Sequence, residues 1–203
     1  MKTHYVGKFV SILLLSAASL SANGIQETLA NLNTAFQGES NAQNRYTLFA
    51  KQADTEGYPM VAKLFRAAAK AEGIHRNAHR EAIEKLGGTV ETFELDAVNI
   101  GTSAENLKAA IEGESYERDT MYPEFMAQAI QANARPAIRS IRFALDAEKE
   151  HAKLYSNALE QLGKQKDAPI YVCEVCGYTT MTLPEKKCPT CRRPVDESYV
   201  VIN

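Results

Sequence analysis

Tryptophan is absent, histidine occurs only four times, and no cysteine appears before residue 173. Side chains that bind metal through nitrogen or sulfur are therefore few, and they fall into two groups: His4, His75, His79 and His151, and Cys173, Cys176, Cys188 and Cys191. A basic excess is missing too. A formal net charge of −2 leaves nothing to neutralise a phosphate backbone or an anionic lipid surface, so nucleic-acid binding is not expected. Long apolar runs are also missing. The stretch from Phe9 to Leu20 is well short of the roughly 20 residues that span a bilayer, so the mature chain is not expected to insert in a membrane. With Lys2 and Lys8 ahead of it and Ser19-Leu20-Ser21-Ala22 after it, this stretch reads as an export leader over residues 1–22. No cysteine follows to carry a lipid. Cleavage removes two lysines and no acids and leaves a net charge of −4. A periplasmic or otherwise exported protein is expected, with an uncleaved cytoplasmic chain as the alternative.

What is present divides the remainder in two. With 45% hydrophobic residues, 203 residues suffice for one medium domain and a small one. Helical periodicity predicts four segments. The first runs from Ile25 to Asp54, capped by Asn23, and the second from Pro59 to Leu86 before Gly87-Gly88. A third opens at Thr102 with Glu105 as a capping box and carries Leu107, Ile111, Met121 and Phe125 on its inner stripe. The fourth spans Pro136 to Leu162. Residues 89–101 form a crossover poor in helix signals. These segments make residues 23–165 a predicted four-helix bundle. Residues 166–203, with short β-like runs around turn-rich cysteine segments, make a small separate domain.

The chain also repeats itself. Gly38-Glu39-Ser40 returns as Gly113-Glu114-Ser115, and Arg66-x-Ala68-x-x-Ala71-Glu72-x-x-His75 returns as Arg142-x-Ala144-x-x-Ala147-Glu148-x-x-His151. Two related helix pairs joined by one long crossover suit a ferritin-like bundle.

Each apolar stripe is interrupted at mid-length by an ionisable residue. The first helix steps 25, 29, 32, 36 and then meets Glu39. The second steps 61, 64, 68 and meets Glu72 and His75. The third steps 107, 111 and meets Glu114, with Glu117 one turn later. The fourth steps 138, 141, 145 and meets Glu148 and His151. One Glu-x-x-His on a helix is usually a solvated face. Two in repeat register, facing two further inward glutamates, would bury carboxylates at great cost unless cations compensate them. Glutamates from two helices with Glu-x-x-His from the other two form the ligand pattern of a di-iron or di-manganese carboxylate bundle. Oxygen ligands with one imidazole per metal suit iron or manganese. Tyr46 and Tyr122, about two turns beyond Glu39 and Glu114, are placed to hydrogen-bond ligand carboxylates. His79 follows His75 by one turn where the repeat has Tyr155, so it is expected to support the ligands or face solvent rather than bind metal. Gly73 inside the second helix permits close packing.

Cys173-x-x-Cys176 and Cys188-x-x-Cys191 form a paired-knuckle pattern for a tetrahedral thiolate site, in which zinc and iron are not separable by spacing. Gly177 permits the turn after the first knuckle, and Arg192 holds the equivalent place after the second.

With Gly38-Glu39-Ser40-x-Ala42-x-x-Arg45-Tyr46, Ala71-Glu72-x-x-His75, Gly113-Glu114-x-x-Glu117-x-x-x-Met121-Tyr122-Pro123, Ala147-Glu148-x-x-His151 and the two cysteine knuckles, the chain resembles the rubrerythrins across residues 24–203. The resemblance implies a ferritin-like bundle followed by a rubredoxin-like domain, and iron in the cysteine cage. It implies an oxo- and carboxylate-bridged di-iron site, with Glu72 and Glu148 bridging and Glu39, Glu114, Glu117, His75 and His151 as terminal ligands. His75 and Glu117 would alternate on one iron. It further implies a peroxidase that reduces hydrogen peroxide to water in oxidative-stress defence, and a homodimer in which one subunit's cysteine-bound iron approaches the other's di-iron site. Family members usually draw electrons from cytoplasmic nicotinamide-dependent reductases, so an exported chain needs another donor protein, whose identity is open. Two other functions would use the same features: a ferroxidase or iron-handling protein, which has no need of the cysteine cage, and a non-enzymatic metal-binding module with structural zinc.

Overall fold

The structure, a computed structural model, describes residues 7–202, with side chains from residue 23 onward. The side chains of the expected leader, residues 1–22, lie outside that range. Among the described residues no helix is long and apolar enough to cross a membrane. Helix α1 runs Gly7–Thr55, α2 Pro59–Lys85, α3 Ser103–Tyr116, α4 Tyr122–Gln131 and α5 Arg135–Glu160. Asn23, expected as the first cap, lies inside α1. The run before it contains no proline, and no glycine after Gly7, to stop a helix. The Thr102–Glu105 capping box forms as expected: Thr102 Oγ1 accepts from the Glu105 N–H, and the Thr102 N–H donates to Glu105 Oε2 at 2.8 Å. Proline opens α2 and sits in the first turn of α5, where its missing N–H costs nothing.

The expected third helix is not one regular helix. Five residues between α3 and α4, Glu117–Met121, form a π turn. Residues 89–101 cross the bundle without regular structure, tied down by Asn33 and Asn41, whose side-chain oxygens accept from the N–H groups of Glu91 and Asp96.

Among the described residues the core between the helices comes in two apolar blocks, with a third, smaller cluster where Phe143 meets the cysteines. One holds Tyr46, Phe49, Leu64, Phe65, Leu107 and Tyr155. The other holds Leu32, Ile83, Tyr122, Ala137 and Ile141. On each of the four long elements the chain passes from one block to the other, and the interrupting Glu and His residues lie at the crossing. The interrupted stripes thus fold into one polar layer between two apolar ones. Gly73 lies where an added Cβ would come 2.6 Å from Gln43 Nε2, and that glutamine amide turns to accept from Arg76 Nη1 at 2.7 Å.

The tail forms a three-stranded antiparallel sheet in the order β2-β1-β3, with β1 Ile170–Cys173, β2 Thr179–Thr180 and β3 Tyr199–Ile202. It does not stand apart from the helices. Ile170 and Val172 are fully buried in the first apolar block, each contributing about 1.5–3 kcal/mol relative to exposure. Lys63 Nζ reaches Asp167 Oδ1 at 2.6 Å and the Ala168 carbonyl at 3.2 Å, pinning the connection. The cysteine module is therefore packed against the bundle of its own chain.

Candidate metal centres

Glu39, Glu72, His75 and Glu148 present ligand atoms within 4.8 Å of one another, and so do Glu72, Glu114, Glu148 and His151. All six residues are buried, and Glu72 and Glu148 belong to both groups. Two neighbouring cation positions sharing two carboxylates are the direct reading. His75 Nδ1 lies 2.9 Å from Glu72, 3.5 Å from Glu148 and 3.7 Å from Glu39. His151 Nδ1 lies 2.9 Å from Glu148, 3.3 Å from Glu72 and 3.4 Å from Glu114.

The fit to metal can be tested on the oxygens. Glu39 Oε2, Glu72 Oε1, Glu114 Oε2 and Glu148 Oε1 are buried with no hydrogen-bond partner. Buried polar atoms are almost always paired, so one orphan from each of four carboxylates marks the place of something positive. The proton distribution tells the same story. Burial pushes Glu148 well above the usual carboxylate range, reinforced by Glu114 and Glu72. Burial also raises Glu39, with Glu72 adding to it. Burial works against a charge on Glu114 as well, but the adjacent Glu148 and His151 hold it at about 2. Without cations, protons must be shared out among these groups.

Tyr46 Oη donates to Glu114 Oε1 and Tyr122 Oη donates to Glu39 Oε1, so each tyrosine reaches across to the glutamate of the other helix pair. Burial first, and then the facing carboxylates, raise both phenols well above their ordinary range and keep them donors. This reciprocal pairing explains the π turn. Glu39 and Tyr46 are seven residues apart, nearly two α turns. Glu114 and Tyr122 are eight apart, which in a regular α-helix would swing Tyr122 by about 80° off the face. The wide turn absorbs the extra residue.

Glu117, read from the sequence as a ligand, opens that turn and stands at the rim of the layer. It belongs to neither four-residue group, and its Oε1 lies 3.8 Å from where a Cβ on Gly38 would be. His79 is fully buried and does not face solvent. Its Nδ1 lies 3.2 Å from Ser140 Oγ and its Nε2 3.2 Å from Tyr122 Oη. It supports the tyrosine that supports Glu39.

The four cysteines converge, all within 4.8 Å through their sulfurs. Cys173 and Cys191 sulfurs are 3.6 Å apart and those of Cys176 and Cys188 3.5 Å apart. A disulfide would be about 2.05 Å. The edge of a tetrahedron with about 2.3 Å metal–sulfur bonds is about 3.8 Å, so the cage is spaced for a metal. The knuckles match: Gly177 N–H donates to the Cys173 carbonyl at 2.8 Å, and Arg192 N–H to the Cys188 carbonyl at 3.0 Å. Gly177 has φ +76°, and a Cβ there would also fall 2.2 Å from His75 Nε2, so no other residue fits. Arg192 adopts φ +65° with a side chain and bears the strain. Arg192→Gly is expected to raise stability by about 0.5–1 kcal/mol, a melting-temperature gain of about 2 °C, with the cage's absorption unchanged. An unchanged or lower melting temperature would show that the arginine is not strained.

Residues invisible to sequence reasoning complete the picture. The Cys176 carbonyl lies 3.1 Å from His75 Nε2, Thr179 Oγ1 lies 3.0 Å from His151 Nε2, and Ser140 closes on His79. The first two come from the docking of the cysteine module on the bundle, and Ser140 from the packing of α5 on α2. Within this chain the cysteine module lies directly against both ligand histidines.

Comparison with known proteins agrees with this geometry. The rubrerythrin family model matches residues 30–159. A putative rubrerythrin of Methanocaldococcus jannaschii is 35% identical over 184 residues, covering 84% of this chain and 90% of the relative. Nigerythrin of Nitratidesulfovibrio vulgaris is 34% identical over 176 residues, 87% of each. The solved structure of fully reduced, all-ferrous nigerythrin superposes with a TM-score of 0.77 at 33% identity over 86% of each chain. The chain belongs to the rubrerythrin family, its buried carboxylate–histidine layer being a di-iron site and its four-cysteine cage a rubredoxin-like single-iron site.

Proposed function

We propose that this protein is a non-haem di-iron peroxidase, reducing hydrogen peroxide to water with electrons delivered through its cysteine-bound iron. The observation that carries this reading is the docking of the cysteine cage directly on a ligand histidine, with the Cys176 carbonyl 3.1 Å from His75 Nε2. An iron store or a ferroxidase has no use for a one-electron centre built against its metal layer. Bound iron would supply two electrons held side by side and Lewis-acid polarisation of both peroxide oxygens. The chain's own residues do the rest. Glu72 and Glu148, common to both groups, would bridge, while Glu39, Glu114, His75 and His151 would each serve one position. Glu117, at the rim beside Gly38, would be the carboxylate that exchanges with His75, as the resemblance implies. Tyr46 and Tyr122 hold Glu114 and Glu39 in place without themselves losing a proton. The two apolar blocks exclude bulk water on either side.

Defence against peroxide outside the cytoplasm fits the leader-like N-terminus, with an electron-donor protein of that compartment as partner. Cell fractionation that finds the chain solely in the cytoplasm would remove this part of the proposal. A homodimer that brings one subunit's cysteine-bound iron to the other's di-iron site, as the resemblance implies, belongs to the same proposal, and the mass of the protein in solution tests it. The functional test is peroxide consumption by reduced protein, with and without Cys173→Ser. Wild type should turn over repeatedly on a one-electron donor. The variant should consume peroxide once from its pre-reduced bundle and then stall, a loss of about 100-fold or more in sustained rate. Equal sustained rates, or faster oxidation of added ferrous ion than reduction of peroxide by both proteins, would point to iron handling instead.

A further inference from the structure

Both ligand histidines end, on the side away from the carboxylates, on the cysteine module of their own chain. His75 Nε2 meets the Cys176 carbonyl and His151 Nε2 meets Thr179 Oγ1, in each case in a buried contact. A carbonyl only accepts, so His75 Nε2 carries the hydrogen. The Thr179 hydroxyl has one proton and directs it to the Gly177 carbonyl, 2.9 Å away. Toward His151 that hydroxyl can therefore only accept, and His151 Nε2 carries the hydrogen as well. Both rings are thus held with the Nδ1 lone pair turned inward among the carboxylates.

The two contacts differ in kind. The partner of His75 is backbone and survives any side-chain change at that position. The partner of His151 is a side chain, and only a residue with an acceptor oxygen at that reach supplies it. Thr179 is fully buried and fixed by its pairing with Val172 in the sheet, so its oxygen has no freedom to retreat. We propose that Thr179 is a positioning residue for the di-iron site: by accepting the His151 Nε2–H it holds that imidazole with Nδ1 toward the cation, and so makes iron retention depend on the docked cysteine module. Without the acceptor, the buried N–H is orphaned, and tautomer exchange or ring rotation becomes the way to relieve it.

Thr179→Val preserves shape and removes the acceptor, whereas Thr179→Ser keeps it. In a chelator challenge of iron-loaded protein, the valine variant should lose its bundle iron about 10-fold more readily than wild type, and the serine variant should behave as wild type. The absorption of the cysteine-bound iron should be the same in all three. In proton NMR of the all-ferrous protein, one of the two solvent-exchangeable ligand-imidazole N–H signals should broaden or exchange faster in the valine variant, and the other should persist. Unchanged iron retention with both N–H signals intact would overturn the proposal. Loss of both signals together would overturn it too, because it would mean that the module had undocked rather than that one ring had been released. A serine variant as leaky as the valine variant would likewise count against it.

Discussion

Glu148→Gln, expressed with ample iron, is expected to lose the iron of its helical bundle while keeping its red cysteine-bound iron, and its peroxide consumption should fall by about 100-fold or more. Glu148 belongs to both four-residue groups, so an amide there weakens both positions at once. The change is nearly isosteric, which separates the loss of charge from the loss of shape. Metal-free Glu148→Gln should be more stable than metal-free wild type, because one fewer buried carboxylate then needs compensation. Iron analysis together with thermal melts of loaded and stripped proteins reads both effects. Full retention of bundle iron by the variant would remove Glu148 from the ligand set. A stripped variant less stable than the stripped wild type would show that Glu148 is a packing group rather than a charge held for a cation.

Stripping the wild type of its bundle iron is expected to cost about 3–5 kcal/mol, a fall in melting temperature on the order of 10 °C. Stability should also acquire a slope with pH. Burial alone would push His151 down, but Glu72 and Glu114 outweigh it and hold the ring well above its ordinary range. His75 is raised too, against burial, by its hydrogen bond to Glu72 and by Glu39. A histidine with a raised folded pKa contributes stability that is fully present below its unfolded value of about 6.5 and is lost as pH climbs through the folded value. Metal-free protein should therefore weaken from mildly acidic toward alkaline pH. Iron-loaded protein should not, because the cation has taken the protons' place. Melting both forms between about pH 5.5 and 9 is the check. Parallel curves for loaded and stripped protein would mean that the histidines do not exchange protons for metal.

Much of this site was legible in the sequence because burial of charge is so costly. Four apolar stripes broken at mid-length by Glu39, Glu72, Glu114 and Glu148 have few physical meanings, and the repeat register of the two Glu-x-x-His pairs narrows them to one. The cysteine spacing is equally readable, since a knuckle is a local structure. What the sequence conceals depends on how distant pieces meet. Periodicity places Glu117 one turn after Glu114. It does not show that the backbone widens at that residue, since only the seven-against-eight spacing of the Glu–Tyr pairs betrays the turn. His79 looked free to face water because Ser140, on another helix, is what encloses it. The contacts of Cys176 and Thr179 with the ligand histidines need the tail to fold back onto the bundle, and no local pattern encodes that. The start of α1 was misplaced for the opposite reason: Asn23 is a good cap, but nothing before it ends a helix.

The widened turn at Glu117–Met121 has one more consequence. If the two helix pairs descend from a duplicated ancestor, the second copy carries an insertion that the first lacks, and its rotation was cancelled where it arose. The ancestral assembly would have treated its two ions as equals. The present one differs between its halves: Ala42 stands in the first copy where Glu117 stands in the second, so the second copy alone brings a further carboxylate to the rim of the layer. Two halves that began alike now differ by one carboxylate and one residue of backbone.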